Sequence, residues 1–341
     1  MLFRSGEGYE VPRNLTEARV QRAVKSNRQL FERVVDFWAD HFNVPHDFAS
    51  LRLFRTVYDR EVIREHALGY FPDMLMASAK SAGMLTYLSG SENIAGAPNE
   101  NYAREVMELH TLGVNGGYNE NDIQELARCF TGWTIYRYDH PQFGEFLFEP
   151  EHHDFEAKTV LSQQIPAGGG VSDGEFMLNY LALHPTTAEY VSRELAIFLL
   201  DYDPPQALVD EAKAVFLATG GYMRDVVRVV LDKKWIPFVD PWNTPKLRRP
   251  MHYVCNIFRT PGITLAGLSV VRISLATMWH YPFLWPAPDG YPADLETWGT
   301  AVLPPWAFAF RVFLGSMPGV LAPAWQLSAA RGGLVPTPLA G

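Results

Sequence analysis

The stretch "NENYAREVMELHTLGV" (99–114) sets Glu100, Arg104, Glu105, Glu108 and His110 among apolar neighbours in what reads as one short helix. Carboxylates beside an imidazole are the side chains of general acid–base work and of metal ligation. On a regular helix each residue turns about 100°, so Glu105 and Glu108 lie about 60° apart, on a face shared with Asn101. His110 falls about 140° from Glu105, on the side of Val106 and Ala103. Glu108 and His110 can serve one site only if the helix ends or distorts near Leu109, and Gly113 makes an early end possible. The bland alternative is a surface ladder in which Arg104 offsets Glu100 and Glu108, worth a few tenths of a kcal/mol per pair.

Other stretches add groups of the same kind. "DIQELAR" (122–128) puts Asp122 and Glu125 on one helical face with Arg128 beside them, so two adjacent helices would each present carboxylates and an arginine. Such a pair can hold a metal, an acid–base couple or a buried ion network. "FWADHF" carries His41 on an apolar stripe, where a core histidine competes with a ligand. "FEPEHHDFEAKTV" clusters His152, His153 and Asp154 in a loop, where functional residues concentrate. "WPAPDGYP" offers Trp285, Asp289 and Tyr291, rings and a carboxylate suited to stacking on sugar faces or to lidding a core. "HPTTAEYVSREL" has a structural explanation, with Thr186 capping a helix and Glu189 closing a capping box.

The resulting candidates are Glu105, Glu108, Glu125 and His110 as catalytic groups. Asn101, Arg104, Trp133, Trp285, Asp289 and Tyr291 are the substrate-binding set, and His41, Glu108, His153 and Asp154 the ligands of a divalent ion such as Zn, Fe, Mn or Ca. Neither a phosphate-cradling loop nor a dinucleotide fingerprint is present, and the zinc-protease H-E-x-x-H and hydrolase G-x-S-x-G motifs are absent.

These groups need elements to carry them. Helical periodicity fills 15–42, 51–69 and 71–90, continues through the central motif, and returns at 174–184, 186–201, 205–219, 222–236 and 245–260. Asn119 or Asn121 can cap the helix that follows the glycine-rich "GVNGGYNEND". Between the helical blocks, "WTIYRYD" and "GEFLFEP" are short, aromatic and β-branched, which predicts a small hairpin. The expected fold is mainly α, a multi-helix bundle-like domain with a β-hairpin insertion and Pro/Trp-rich C-terminal loops. It reads as one large domain over 1–341, with sub-lobes 1–165 and 166–341.

Bulk properties narrow the function classes. A chain of 341 residues with 48% hydrophobic content can bury a large core. A net charge of −9, with "KLRRP" as the densest basic run, argues against a nucleic-acid partner. Cys129 and Cys255 support neither a metal spacing nor a disulfide framework. No run of about 18 apolar residues exists to span a membrane. The N-terminus lacks the apolar region of a signal peptide, which leaves a cytoplasmic protein or a fragment as the expectation.

Several motifs together resemble one family. "LFERVVDFWADHFNV", the long central "NENYAREVMELHTLGVNGGYNENDIQELARCFTGWT", "HHDFEAKTVL", "HPTTAEYVSREL" and "WPAPDGYPADLETW" occur in the order seen in the bacterial family catalogued as domain of unknown function 1800. The likeness runs from about Arg22 to about Phe313. It implies a secreted or cell-envelope protein, often encoded beside a sulfatase-like family that is a candidate partner. Family members open with a further helical segment and often an export signal, which this N-terminus does not display. Asp40 stands where the family has Asn, Asn119 where it has Thr, and Glu156 and Ser162 where it has glycines. The acidic and histidine positions of the central motif, Glu100, Glu105, Glu108, His110 and Glu125, are intact.

Two readings follow. The first is a hydrolase of an extracellular polymer such as a polysaccharide, using a carboxylate and histidine site that can bind a metal, with a carboxylate-bridged iron oxidoreductase as a variant. The second is a non-catalytic envelope or scaffold protein whose polar motifs are buried structural networks.

Overall fold

The computed structural model describes residues 7–46, 51–239, 246–260, 268–299 and 303–313. The long periodic run at the start is two helices, α1 (Glu7–Lys25) and α2 (Gln29–His41). Ser26 separates them, its hydroxyl accepting from the Arg28 amide at 3.0 Å and its carbonyl from the Gln29 side chain at 2.7 Å. In α2 the apolar spacing turns Val34, Val35 and Trp38 inward, and the Trp38 indole N–H donates to the Ala67 carbonyl at 3.0 Å.

The second periodic run gives α3 (Leu51–Val57), continued by a π-helical segment (Tyr58–Arg64), then α4 (Phe71–Ala79) and α5 (Ala82–Tyr87). Pro72 lies in the first turn of α4, where its missing N–H is harmless, and Ser81 caps α5 by accepting from the Met84 amide. The central motif folds as α6 (Asn101–Glu105) and a π-helical segment (Val106–Thr111). Gly113 ends it at φ +80°, where a Cβ would meet the Tyr190 ring at 2.9 Å. The next helix, α7 (Glu120–Cys129), opens with a capping box between Asn119 and Asp122.

The expected hairpin is present as β1 (Trp133–Ile135) and β2 (Phe146–Phe148), antiparallel with Trp133 opposite Phe148. A second hairpin, β3 (Lys158–Val160) with β4 (Gln163–Ile165), was not expected, because its Leu161–Ser162 turn carries none of the Gly, Asn or Asp residues that mark a hairpin. Four helices follow, α8 (Val171–Ala182), α9 (Pro185–Leu199), α10 (Gln206–Ala218) and α11 (Met223–Val230), with α10 packed on both α9 and α11. The cap of α9 corrects the expectation of Thr186: His184 is the capping residue, its ring nitrogen accepting from the Thr186 amide at 3.2 Å, and Pro185 is the first helical residue.

The C-terminal part holds more helix than its composition suggested. Only α12 (Pro250–Arg259) follows the expected pattern; α13 (Ser269–Thr277), α14 (Leu295–Gly299) and α15 (Leu303–Phe313) lie where loops were expected. Among the described residues the architecture is mainly α, with two small antiparallel two-stranded sheets. No helix there is long and apolar enough to cross a membrane.

The chain divides into two compact units. The first comprises Met1–Pro12, Leu30–Lys246 and Phe283–Ala293, so the sub-lobe boundary expected at 165/166 falls inside it. Its core includes Trp38, Phe42, Phe71, Met107 and Trp133. The second comprises Arg13–Gln29, Leu247–Pro282 and Asp294–Gly341, and its core joins Val24, Val254, Phe258, Leu275 and Phe308.

Candidate functional site

The first unit holds the candidate site, at α6 and the loop Phe283–Ala293. That loop is pinned at four points. Asn43, just past α2, donates from its amide to the carbonyls of Trp285 (2.9 Å) and Ala287 (2.7 Å). The Tyr87 hydroxyl donates to the Pro286 carbonyl at 2.6 Å, and the His46 amide to the Phe283 carbonyl at 3.0 Å. Gly290 sits at φ +69° with its missing Cβ 2.3 Å from the Asp40 carbonyl, so only glycine permits this approach. Within the loop the Trp285 indole N–H donates to Asp289 at 2.8 Å, and the Trp285 and Tyr291 rings lie 5.1 Å apart.

Glu105 is half-buried on α6. Burial raises its carboxyl above the ordinary range, and the neighbouring negative charges of Glu108 and Asp289 raise it further against the opposing pull of Arg104. Glu108 lies 3.7 Å from Arg104, whose guanidinium also holds Glu100 at 3.2 Å and pairs with Glu120. Three tyrosines feel the same acidic field. Tyr87 is raised by burial and then by Glu105 and Asp289, and Tyr118 is pushed up to about 12 by burial and then chiefly by Glu108. Tyr190 is raised by burial and then by Glu194, Tyr118 and Asp289. A protonatable carboxyl beside two further carboxylates and a ring pair is the equipment of acid–base hydrolysis.

The π-helical segment separates the histidine from this face. His110 is buried on the other side, its ring 5.0 Å from Phe42 and 6.3 Å from His41, so it does not join Glu108. Among the described residues neither ring nitrogen of His110 has a hydrogen-bond partner, nor has the buried Tyr102 hydroxyl nearby. His41 is enclosed by Phe37, Trp38, Phe42 and Phe71, with its Nε2 3.1 Å from the His110 carbonyl. Burial lowers His41 to about 4 and His110 to about 3, the latter helped by His41.

Glu125 also lies elsewhere. It accepts from Arg128 at 2.7 Å and from the Thr159 amide at 2.9 Å, tying α7 to β3. Arg128 reaches Asp154 at 2.7 Å, and Asp122 accepts from the Leu161 amide. His153 is buried, its Nδ1 donating to the Thr131 carbonyl at 2.7 Å and its Nε2 3.4 Å from Asp173. Lys158, fully buried, donates to Asp173 at 2.8 Å and to the Glu156 carbonyl at 3.0 Å. These groups form a satisfied polar network that fixes β3 against α7 and α8.

The four expected metal ligands are therefore not gathered. His41 sits in an aromatic pocket, Glu108 beside Arg104, His153 on Asp173 and Asp154 on Arg128. Among the described residues no group of three or more His, Cys, Asp and Glu side chains is assembled as a metal centre. Of the substrate-binding candidates, Trp133 is a core residue packed on Phe130 and Phe146, and Asn101 is exposed with its amide donating to the Leu88 carbonyl. Trp285, Asp289 and Tyr291 share the pinned loop, while Arg104 borders the carboxylates. The tyrosines 87, 118 and 190 and the pinning residue Asn43 were missed. Tyr87, Tyr190 and Asn43 lie in mixed apolar stretches that read as core packing and Tyr118 in a glycine-rich turn, and only their clustering in space marks them.

No curated protein and no solved structure matches the chain. A family model described as protein of unknown function (DUF1800) matches residues 4–333, nearly the whole length, and the chain belongs to that family.

Proposed function

We propose that the protein is a hydrolase of an extracellular glycan or related polymer, with Glu105 as general acid and Asp289 as the opposing carboxylate. The observation that carries this reading is the pinned loop, which brings Asp289 and the Trp285–Tyr291 ring pair to the electrostatic neighbourhood of Glu105 from a separate element. Glycosidic cleavage needs two carboxyl groups flanking the bond, one protonated and one not. Burial and the neighbouring charges favour the protonated form of Glu105, and Glu108, held by Arg104, is one source of that charge. Trp285 and Tyr291 supply apolar faces for sugar rings. The extracellular setting and a sulfatase-like partner rest on the family resemblance.

Release of reducing ends from a panel of neutral, acidic and amino polysaccharides tests the proposal. Wild type is expected to cleave at least one polymer, and Glu105→Gln and Asp289→Asn each to lose about 10²–10⁴-fold in kcat with unchanged melting temperature. Because the acid must carry its proton, the rate is expected to fall as pH rises through the raised pKa of Glu105. That alkaline limb should be lost in the residual activity of Glu105→Gln. No cleavage of any polymer, or a fully active Glu105→Gln, rejects the assignment.

A further inference from the structure

We propose that the second unit docks on the surface of an anionic lipid bilayer, laying the outer face of α15 and the Trp279 ring among the headgroups while its exposed basic side chains meet their phosphates.

The first observation is the face of α15 that the core does not use. At about 100° per residue, Phe308 and Val312 share one side of the helix, and both are buried. Phe308 packs there on Phe258 of α12, with the rings 5.7 Å apart. Trp306, Phe310 and Phe313 fall within about 60° of one another on the opposite side. Trp306 is 64% and Phe310 61% exposed. The helix is therefore apolar on both sides, and the exposed Arg311 borders the outer stripe without interrupting it.

The second is Trp279, which is 81% exposed. It follows α13 in a Schellman turn, its amide donating to the Ala276 carbonyl at 3.1 Å and the His280 amide to the Leu275 carbonyl at 3.0 Å. The residue sits at φ +58°, a conformation that favours glycine. Fold stability gives no reason for an exposed indole at this point, and strained positions persist where function uses them.

The third is charge. The three segments of the unit hold eleven Lys and Arg against three Asp and Glu, in a chain with 29 against 38. Lys25, Arg28 and Arg259 are exposed, and Arg259 donates to the carbonyls of Val24 (2.8 Å) and Ser26 (3.1 Å), which sets it beside Lys25. Val24 and Phe258, the neighbours of Lys25 and Arg259, lie in one core with Phe308, so the basic cluster and the aromatic helix are built on the same support.

This combination selects the partner. Trp and Phe on a convex helix face, with Lys and Arg close by, are the make-up of an interfacial helix, whose binding joins apolar burial to attraction for anionic lipid. A nucleic acid fits less well, because surfaces that stack bases combine their rings with cations along the strand, and this stripe is unbroken by charge. No described helix is long and apolar enough to cross the bilayer, so the contact is peripheral. None of these residues belongs to the first unit, and the proposal is independent of the hydrolase reading.

The test sediments the full chain with sucrose-loaded vesicles, either of phosphatidylglycerol and phosphatidylcholine in equal parts or of phosphatidylcholine alone. Binding to the anionic vesicles is expected, weakening as salt rises and at least about tenfold weaker on the neutral ones. Trp306→Ser and Phe310→Ser combined in one chain should lower the partition coefficient at least about tenfold, with the melting temperature unchanged because both side chains are exposed. Trp279→Gly should weaken binding while raising the urea midpoint, a pair of changes that a structural role for the ring would not give. No binding to the anionic vesicles, equal binding to the neutral ones, or unimpaired binding by either variant overturns the proposal. So does a wild-type dimer that dissociates in the double variant, or single-stranded DNA that displaces the vesicles, since each names a different occupant of the face.

Discussion

Ser162 shows how one residue registers a departure from a family pattern. It occupies the β3–β4 turn with φ +64°, next to Leu161 at φ +49°. The left-handed region costs a non-glycine residue about 1–2 kcal/mol, partly offset for glycine by its greater freedom in the unfolded chain. The glycine of the resembled pattern at this position thus has a conformational reason, whereas Glu156, at the other departure, has no positive φ. Ser162→Gly is expected to stabilise the protein by about 0.5–1 kcal/mol, read as a shift of the urea midpoint at constant slope. An unchanged or lowered midpoint would show that the turn does not strain Ser162. At the same scale, part of the site was legible in advance. The common face of Glu105 and Glu108, and the separation of His110 from it, follow from the local step of a helix and survive the π-helical segment. The nearness of Asp289 to Glu105 did not, since no periodicity links a loop near the C-terminus to a helix in the first third.

At the scale of elements, the legible features were those written in neighbouring residues. Asn119 stands where the resembled pattern has Thr, and both residue types cap helices. In the structure Asn119 accepts from the Asp122 amide at 3.3 Å while Asp122 accepts from the Asn119 amide at 3.0 Å, so the exchange leaves the start of α7 intact. Asn119→Ala is expected to cost about 1 kcal/mol by chemical denaturation, and Asn119→Thr a few tenths. Equal losses in the two variants would remove capping as the explanation. The acidic residues of α7 were read correctly as helix-borne and incompletely as chemistry. Glu125 and Asp122 accept backbone amides of Thr159 and Leu161 in the second hairpin, whose Leu161–Ser162 turn carries no Gly, Asn or Asp to announce it. The extra C-terminal helices were hidden for a different reason. In α15 two prolines and a tryptophan open the helix and obscure its period, whereas α13 is only nine residues, too short for its period to stand out.

At the scale of the whole molecule, the two units differ in how the chain builds them. The first takes most of its residues from one continuous stretch, Leu30–Lys246, whereas the second collects Arg13–Gln29, Leu247–Pro282 and Asp294–Gly341. Closing the long intervening segment costs entropy before any contact of the second core forms, though that cost rises only slowly with length. The core that offsets this cost is mostly aliphatic, and within it Phe258 is fully buried with its ring 5.7 Å from Phe308. Truncation of Phe258 to Ala removes a ring from a packed core, a change that typically costs about 3–5 kcal/mol. Stability is not uniform across a structure, and cooperative regions open separately when their cores are separate. In Phe258→Ala, amide hydrogen exchange followed by mass spectrometry is expected to accelerate in peptides covering 13–25, α12, α13 and α15. Peptides of α9, α10 and α11 should keep wild-type protection, because their buried residues, including Leu195, Ala212 and Val226, belong to the first unit. Equal acceleration in both sets would mean that the chain opens as one cooperative body despite its two cores.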